Sequence, residues 1–318
     1  MNKSRVRRRL FATALLLFCA CLASCDNSTT PTIDPKIYPD NHVYPEWSAT
    51  GDSLYYVDLG LVGKVDDYDN VLDLQGLRII AKNGLSRQGR VGTGIILYSF
   101  SPLDTAVCVG GGGLYAIALE NGKIDWSRSR SITTVNGVLK PSWSPTGEWI
   151  AFETYRDDPR RPDAIWKVRP DGSELTKLSG DGPGEWEQPS WSPDGTRIVY
   201  VRYVGDTFGS ELYVMDSTGE NKKRLTMNDA SNSNPRFSPD GTQICYESYG
   251  GDPSRVCVID SDGSHFRALA NGTMPTWSPD GNYIAYVYSS VDVHMNGTIW
   301  RMRADGSRKV QLTQSRVR

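Results

Sequence analysis

One short string recurs along this chain: PSWSPTGEWIAF (141–152), PSWSPDGTRIVY (189–200), PRFSPDGTQICY (235–246) and PTWSPDGNYIAY (275–286). Two weaker copies, YPEWSATGDSLYYV (44–57) and YSFSPLDTAVCV (98–109), precede them. Their aromatic anchors, Trp47, Phe100, Trp143, Trp191, Phe237 and Trp277, are spaced 53, 43, 48, 46 and 40 residues apart. A unit of this size repeated six times must bury its apolar face against copies of itself, which excludes most single-core folds.

Each unit reads as four strands. The anchor ends the first. Ser-Pro-Asp-Gly then makes a type I turn, with Pro pre-set for the second position and Gly closing the fourth. A β-rich run follows, Ile198-Val199-Tyr200 in one copy and Ile284-Ala285-Tyr286 in another. An alternating strand ending in an Asp-Gly-type turn comes next, as in ELYVMDSTG (211–219), and a short run such as KRLTM supplies the fourth. The 31 glycines and 18 prolines suit so many turns. The expected fold is all-β: a six-bladed β-propeller with four-stranded antiparallel blades. A pair of β-sandwiches gives no reason for the fixed internal offsets. A strand from residues 36–44 interlocking with the last blade is left open as a way of closing the ring.

The N-terminus carries an address. Residues 1–9 are basic, 10–22 (LFATALLLFCACL) are apolar but too short to span a bilayer comfortably, and Leu22-Ala23-Ser24-Cys25 follows. That run resembles the lipobox of bacterial lipoproteins, which implies cleavage after residue 24 and acylation of Cys25. The expected organisation is a signal peptide at 1–24, a lipidated cysteine and polar tether at 25–42, and the propeller at 43–318. Asp26-Asn27 resembles an inner-membrane retention signal, and the choice of leaflet stays open. Without the leader's Lys3, Arg5, Arg7, Arg8 and Arg9, 30 basic residues face 37 acidic ones, so a nucleic-acid partner is not expected. Cys108, Cys245 and Cys257 then remain. They form no disulfide framework, and a Cys245–Cys257 bridge is the single pairing left open.

The whole pattern, PxWSPDGxxIAY followed by the Asp-Gly strand and an LT run, is similar to the WD-like repeats of the TolB family, the periplasmic propellers of the Tol-Pal system. The resemblance covers about residues 43–314. It implies a cell-envelope protein facing the periplasm that binds an envelope protein or a peptidoglycan-associated partner without catalysis. Departures are the lack of room for TolB's N-terminal α/β domain after Cys25, Ala49 in place of the turn proline in blade 1, and Leu103-Asp104 in place of Asp-Gly in blade 2.

Catalytic patterns are missing. There are three histidines, His42, His265 and His294, with no His-x-x-x-His pair, and no Gly-x-Ser-x-Gly. Propellers of the prolyl-oligopeptidase-like enzymes carry a hydrolase domain, for which no room is expected after residue 314. Gly110–Gly113 lacks the Gly-Lys-Ser/Thr of a phosphate loop and reads as a tight connection. Asp66, Asp67, Asp69 and Asp73 form a carboxylate cluster that would suit calcium, but without the glycine and closing glutamate of an EF-hand. No cofactor is expected.

Recurrence assigns Trp143, Trp191 and Trp277 to packing between blades, and Asp194, Asp240 and Asp280 to backbone hydrogen bonds in the turns. Binding is expected instead on the variable face, made by the second-to-third strand loops and the interblade segments. Arg156, Arg160, Arg161, Trp186, Tyr203, Phe208, Tyr249 and His294 are its candidate anchors, residue types that dominate interfaces. The alternative function is a glycan or small-molecule site in the central channel, with lyase or hydrolase activity. TolB-like propeller lyases acting on pectic oligosaccharides imply several channel histidines for metal, which three scattered ones do not supply. A monomer is expected.

Overall fold

The computed structural model describes residues 42–313 except 50, 52, 59–75, 82–86, 94–96, 104–105, 112, 121–122, 155–162, 180–183, 204–208, 229, 252 and 289–296. The candidates Cys25, Asp66, Asp67, Asp69, Asp73, Arg156, Arg160, Arg161, Phe208 and His294 lie outside these residues. Among the described residues there are 24 strands and no helix, hence no helix long and apolar enough to cross a membrane.

The strands form four four-stranded antiparallel sheets and one eight-stranded sheet, in which two antiparallel groups of four are joined by a single parallel pairing, Ser210 with Ser231; the six groups of four are here blades 1 to 6. Blade 4 is typical, with strands Glu185–Trp191, Arg197–Tyr203, Ser210–Asp216 and Lys223–Arg224 in sequence order. The first strands of the others are His42–Trp47, Leu97–Phe100, Val138–Trp143, Ser231–Phe237 and Thr273–Trp277. First strands lie against one another from blade 2 through to blade 6 and from blade 6 to blade 1, and so surround the axis. The two-residue fourth strands of blades 3, 4 and 6 are exposed at the rim.

The core sits in the seams between blades. Val199, Val201, Leu212 and Leu225 of blade 4 pack on Phe237, Tyr246, Cys257 and Ile259 of blade 5. Trp47, Leu54 and Tyr56 of blade 1 meet Ala285, Val287 and Ile299 of blade 6, which closes the ring through side chains. His42–Trp47 pairs within blade 1, and blade 6 has four strands of its own, so among the described residues no interlocking strand is used. Trp191 and Trp277 are buried as packing residues. Cys245 and Cys257 are free thiols. Cys245 faces the blade 6 seam and Cys257 the blade 4 seam, on opposite sides of one sheet, so neighbouring strands do not make them a pair.

The Ser-Pro-Asp-Gly turns do two jobs. Asp194 Oδ1 accepts from the Thr196 amide at 3.0 Å and from the Ser192 hydroxyl at 2.5 Å, and Asp240 and Asp280 repeat this. These hydrogen bonds hold the Asp194 and Asp240 carboxyls below their ordinary range. In addition, each turn glycine lies against the turn proline of the preceding blade: Gly147 on Pro102, Gly195 on Pro145, Gly241 on Pro193, Gly281 on Pro239 and, across the closure, Gly51 on Pro279. One seam lacks the pair. Blade 1 has Ala49 where the proline belongs and blade 2 has Asp104 where the glycine belongs, so the two sequence departures are the two halves of one contact. Tyr55 against Phe100, with ring centroids 4.1 Å apart, and Glu46 accepting the Phe100 amide hold this seam instead.

Candidate functional site

In five of the six blades the first strand is interrupted by a bulge just before its anchor, and only Leu97–Phe100 of blade 2 pairs without one. In blades 3 to 6 the residue before the proline, Lys140, Gln188, Asn234 or Met274, is left-handed, with φ between 46° and 54°. That conformation costs an L-residue about 1–2 kcal/mol, and in blades 4 to 6 the gain is that its amide turns toward a side chain of the preceding blade. Glu153 accepts the Gln188 amide, Gln188 Oε1 accepts the Asn234 amide at 2.5 Å, and Glu247 accepts the Met274 amide at 3.4 Å. Asn234 Nδ2 also donates to Glu247 at 3.0 Å.

Lys140 Nζ donates to Asn234 Oδ1 at 3.4 Å. Lys140 belongs to blade 3 and Asn234 to blade 5, which flank blade 4, so this contact bridges the first strand of blade 4 inside the ring. Burial pushes Glu153 up to about 8, helped by the nearby Glu187, and pulls Lys140 down to about 8. Asp163, Glu185 and Glu187 bring carboxylate oxygens within 4.8 Å of one another beside this network, and their hard oxygen donors are of the kind that suit calcium.

A pH dependence follows from Glu153. Its raised folded-state value means that its contribution to stability is complete below the ordinary carboxyl range and is lost as pH rises through about 8. Glu247, raised by burial, adds the same sign. Lys140 acts oppositely, but only at and above about pH 8. Thermal melts are expected to fall by a few degrees from roughly pH 5 to 7.5, and to fall less in Glu153→Gln, which keeps an acceptor for the Gln188 amide. Identical slopes would remove Glu153 from the account.

At the variable face, Tyr249 is exposed and Tyr203 half-buried, each ending the second strand of its blade. Trp186 requires a correction. It is only 3% exposed and stacks on Tyr200, with Arg202 above its ring at 4.5 Å, so it packs the blade 3–blade 4 seam instead of offering an anchor. The reason is its place inside the strand Glu185–Trp191, where the sequence suggested a connecting loop. Sequence reasoning also passed over Lys140, Glu153, Gln188, Asn234 and Glu247. Their signal was polar residues three before and ten after the anchor, where the pattern otherwise expects apolar ones.

Fold and site together define a six-unit β-propeller whose first strands are linked, from blade 3 to blade 6, by a polar hydrogen-bond network. The chain belongs to the TolB beta propeller domain family, whose model matches residues 113–318. An uncharacterized protein of Agrobacterium fabrum is 33% identical over 154 residues, 46% of this chain and 38% of its own. The Tol-Pal system protein TolB of Francisella tularensis is 26% identical over 95 residues, 30% of this chain and 21% of its own. This chain thus spans well under half of either relative. TolB from Acinetobacter baumannii has the same fold, with TM-score 0.62 at 17% identity over 88% of this chain and 64% of that one. So does an oligogalacturonate lyase solved with manganese, TM-score 0.56 at 13% identity over 88% and 79%. The fold is shared by a catalyst and leaves activity to the site.

Proposed function

We propose that this chain is a lipid-anchored cell-envelope propeller that acts as a non-catalytic interaction module through its variable-loop face. The observation that carries this reading is the channel wall: side chains of blades 3 and 5 meet inside the ring over blade 4, which ties up these polar groups and leaves the connecting segments as the adaptable surface. Loops on a rigid scaffold are where binding residues concentrate. The Francisella relative's name places it in the Tol-Pal system, which supports an envelope protein or peptidoglycan-associated partner. Cys25 would hold the domain at the membrane, facing the periplasm, with residues 26–42 as the tether.

The test is crosslinking and capture by the full chain in envelope preparations of its source cell, beside a variant carrying Arg160→Glu, Arg161→Glu, Tyr203→Ala and Tyr249→Ala. A protein captured by wild type and lost by the folded variant is the expected result. Equal capture by both would overturn the loop-face assignment. Thermal stabilisation by envelope glycans without any captured protein would move the site to the channel. Cys25→Ala is expected to release the protein from membranes, read by fractionation.

A further inference from the structure

The repeat places a large aromatic side chain across from the ninth residue after the anchor in four of the six blades. Tyr115 lies opposite Val109, Trp166 opposite Phe152, Tyr213 opposite Tyr200 and Trp300 opposite Tyr286. Trp166, Tyr213 and Trp300 pack there into the seam with the preceding blade. Blade 5 has Cys257 in this place, opposite Tyr246. At this seam, between blades 4 and 5, a cleft of about 610 Å³ opens on the outer side of the ring. Its size falls within the range of ligand sites.

The cleft has a built interior. Tyr246 and Cys257 line it and are fully buried, and the Tyr246 hydroxyl has no partner among the described residues. Leu225 and Ile259 add apolar walls, and Met227 and Phe266 stand at the rim, 80% and 58% exposed. Met227 follows the last strand of blade 4 at the variable face, whereas Phe266 precedes the last strand of blade 5 at the opposite face. The cleft therefore runs the height of the seam, which suits an extended chain better than one isolated ring. Arg255 lines it too, an exposed cation with no ion pair or side-chain hydrogen bond among the described residues.

We infer that the outer seam between blades 4 and 5 docks an extended acidic peptide segment whose aromatic side chain takes the place of the one that blade 5 lacks. The aromatic ring covers the apolar walls and can bring an acceptor to the Tyr246 hydroxyl. A flanking carboxylate pairs with Arg255, in the charge-assisted manner that favours Arg at such sites. The peptide backbone lies along the seam between Met227 and Phe266. This site is separate from the loop-face partner proposed above, and it stands or falls on other residues.

The experiment is fluorescence anisotropy of the full chain with labelled Gly-Asp-Trp-Asp-Gly, and with the same peptide carrying Ala for Trp or Lys for both Asp. Binding of the first, weakened roughly tenfold or more by either change, is expected for an aromatic anchor and an ionic contact. Cys257→Trp, which gives blade 5 the side chain of blades 3 and 6, should abolish binding while the melting temperature holds or rises. Should that variant fail to fold, Phe266→Ser and Arg255→Gln alter only exposed groups, and each should weaken binding several-fold. Undiminished binding by folded Cys257→Trp, or by both exposed variants, would overturn the inference, as would equal binding of the Ala peptide. Binding of indole-3-acetate without binding of any peptide would overturn the peptide and leave a small aromatic acid.

Discussion

Gly219→Ala is expected to destabilise the propeller by about 2–4 kcal/mol, from the left-handed backbone and the overpacking together. In a domain of this size that lowers Tm by roughly 4–16 °C. Gly219 has φ +89°, and a Cβ there would stand 2.7 Å from the Leu178 carbonyl oxygen and 3.0 Å from its Cα. Leu178 cannot simply retreat, because its amide is bonded to the Ile165 carbonyl at 2.8 Å. The third-to-fourth strand turn of one blade thus presses on the backbone that ends the blade before it, and Gly263 against Leu225 repeats the arrangement. Gly281→Ala separates the two causes. Its φ is +70°, but its Cβ would meet only Pro239, at 3.9 Å, so it should lose about 1–2 kcal/mol from backbone strain alone. Urea denaturation of both variants is the measurement, and equal losses would show that the close approach costs nothing.

Glu211→Ala should cost about 3–5 kcal/mol, the range for stripping one partner from a buried charged network. Its carboxylate lies where blade 4 hands the chain to blade 5, and four donors converge on it. Arg224 reaches Oε1 at 2.6 Å, the Asn228 amide reaches Oε1 at 3.1 Å, Asn232 reaches Oε2 at 3.1 Å, and the Thr226 hydroxyl donates to Oε2. Thr226 in turn accepts the Leu212 amide at 2.9 Å, a role that Ser179 and Thr313 fill in blades 3 and 6. Removing the carboxylate strands these groups, Asn232 among them, which is fully buried. Glu211→Gln keeps two acceptor lone pairs and should lose less than half as much. An alanine variant within about 1 kcal/mol of wild type would mean that water replaces the carboxylate freely.

The architecture was legible because it is written six times. Anchor, turn and strand recur at fixed offsets, so the Trp191 and Trp277 packing and the Asp194 turn bonds could be read from recurrence alone. The thiols were half legible: strand adjacency was right, but side-chain alternation, which sends Cys245 and Cys257 to opposite faces, decides against a bridge. What recurrence could not reveal is what differs between copies. Lys140, Gln188, Asn234 and Met274 share a backbone position but no chemistry, so no pattern search links them. Their contacts run between blades, at separations such as 94 residues for Lys140 and Asn234. Trp186 was misplaced for a related reason, since a polar Gly-rich run hid the start of a strand.

The closing seam has a consequence for how the molecule is made. Gly51 rests on Pro279, and Trp47 and Leu54 rest on Ala285 and Ile299. During synthesis, blade 1 waits with one apolar flank bare until blade 6 has emerged. Long-range pairing of this kind folds slowly and invites association with other chains while it is pending. For a chain delivered from its N-terminus, the vulnerable interval is set by the last repeat and not by the first, and truncation inside blade 6 would leave the first blade sticky.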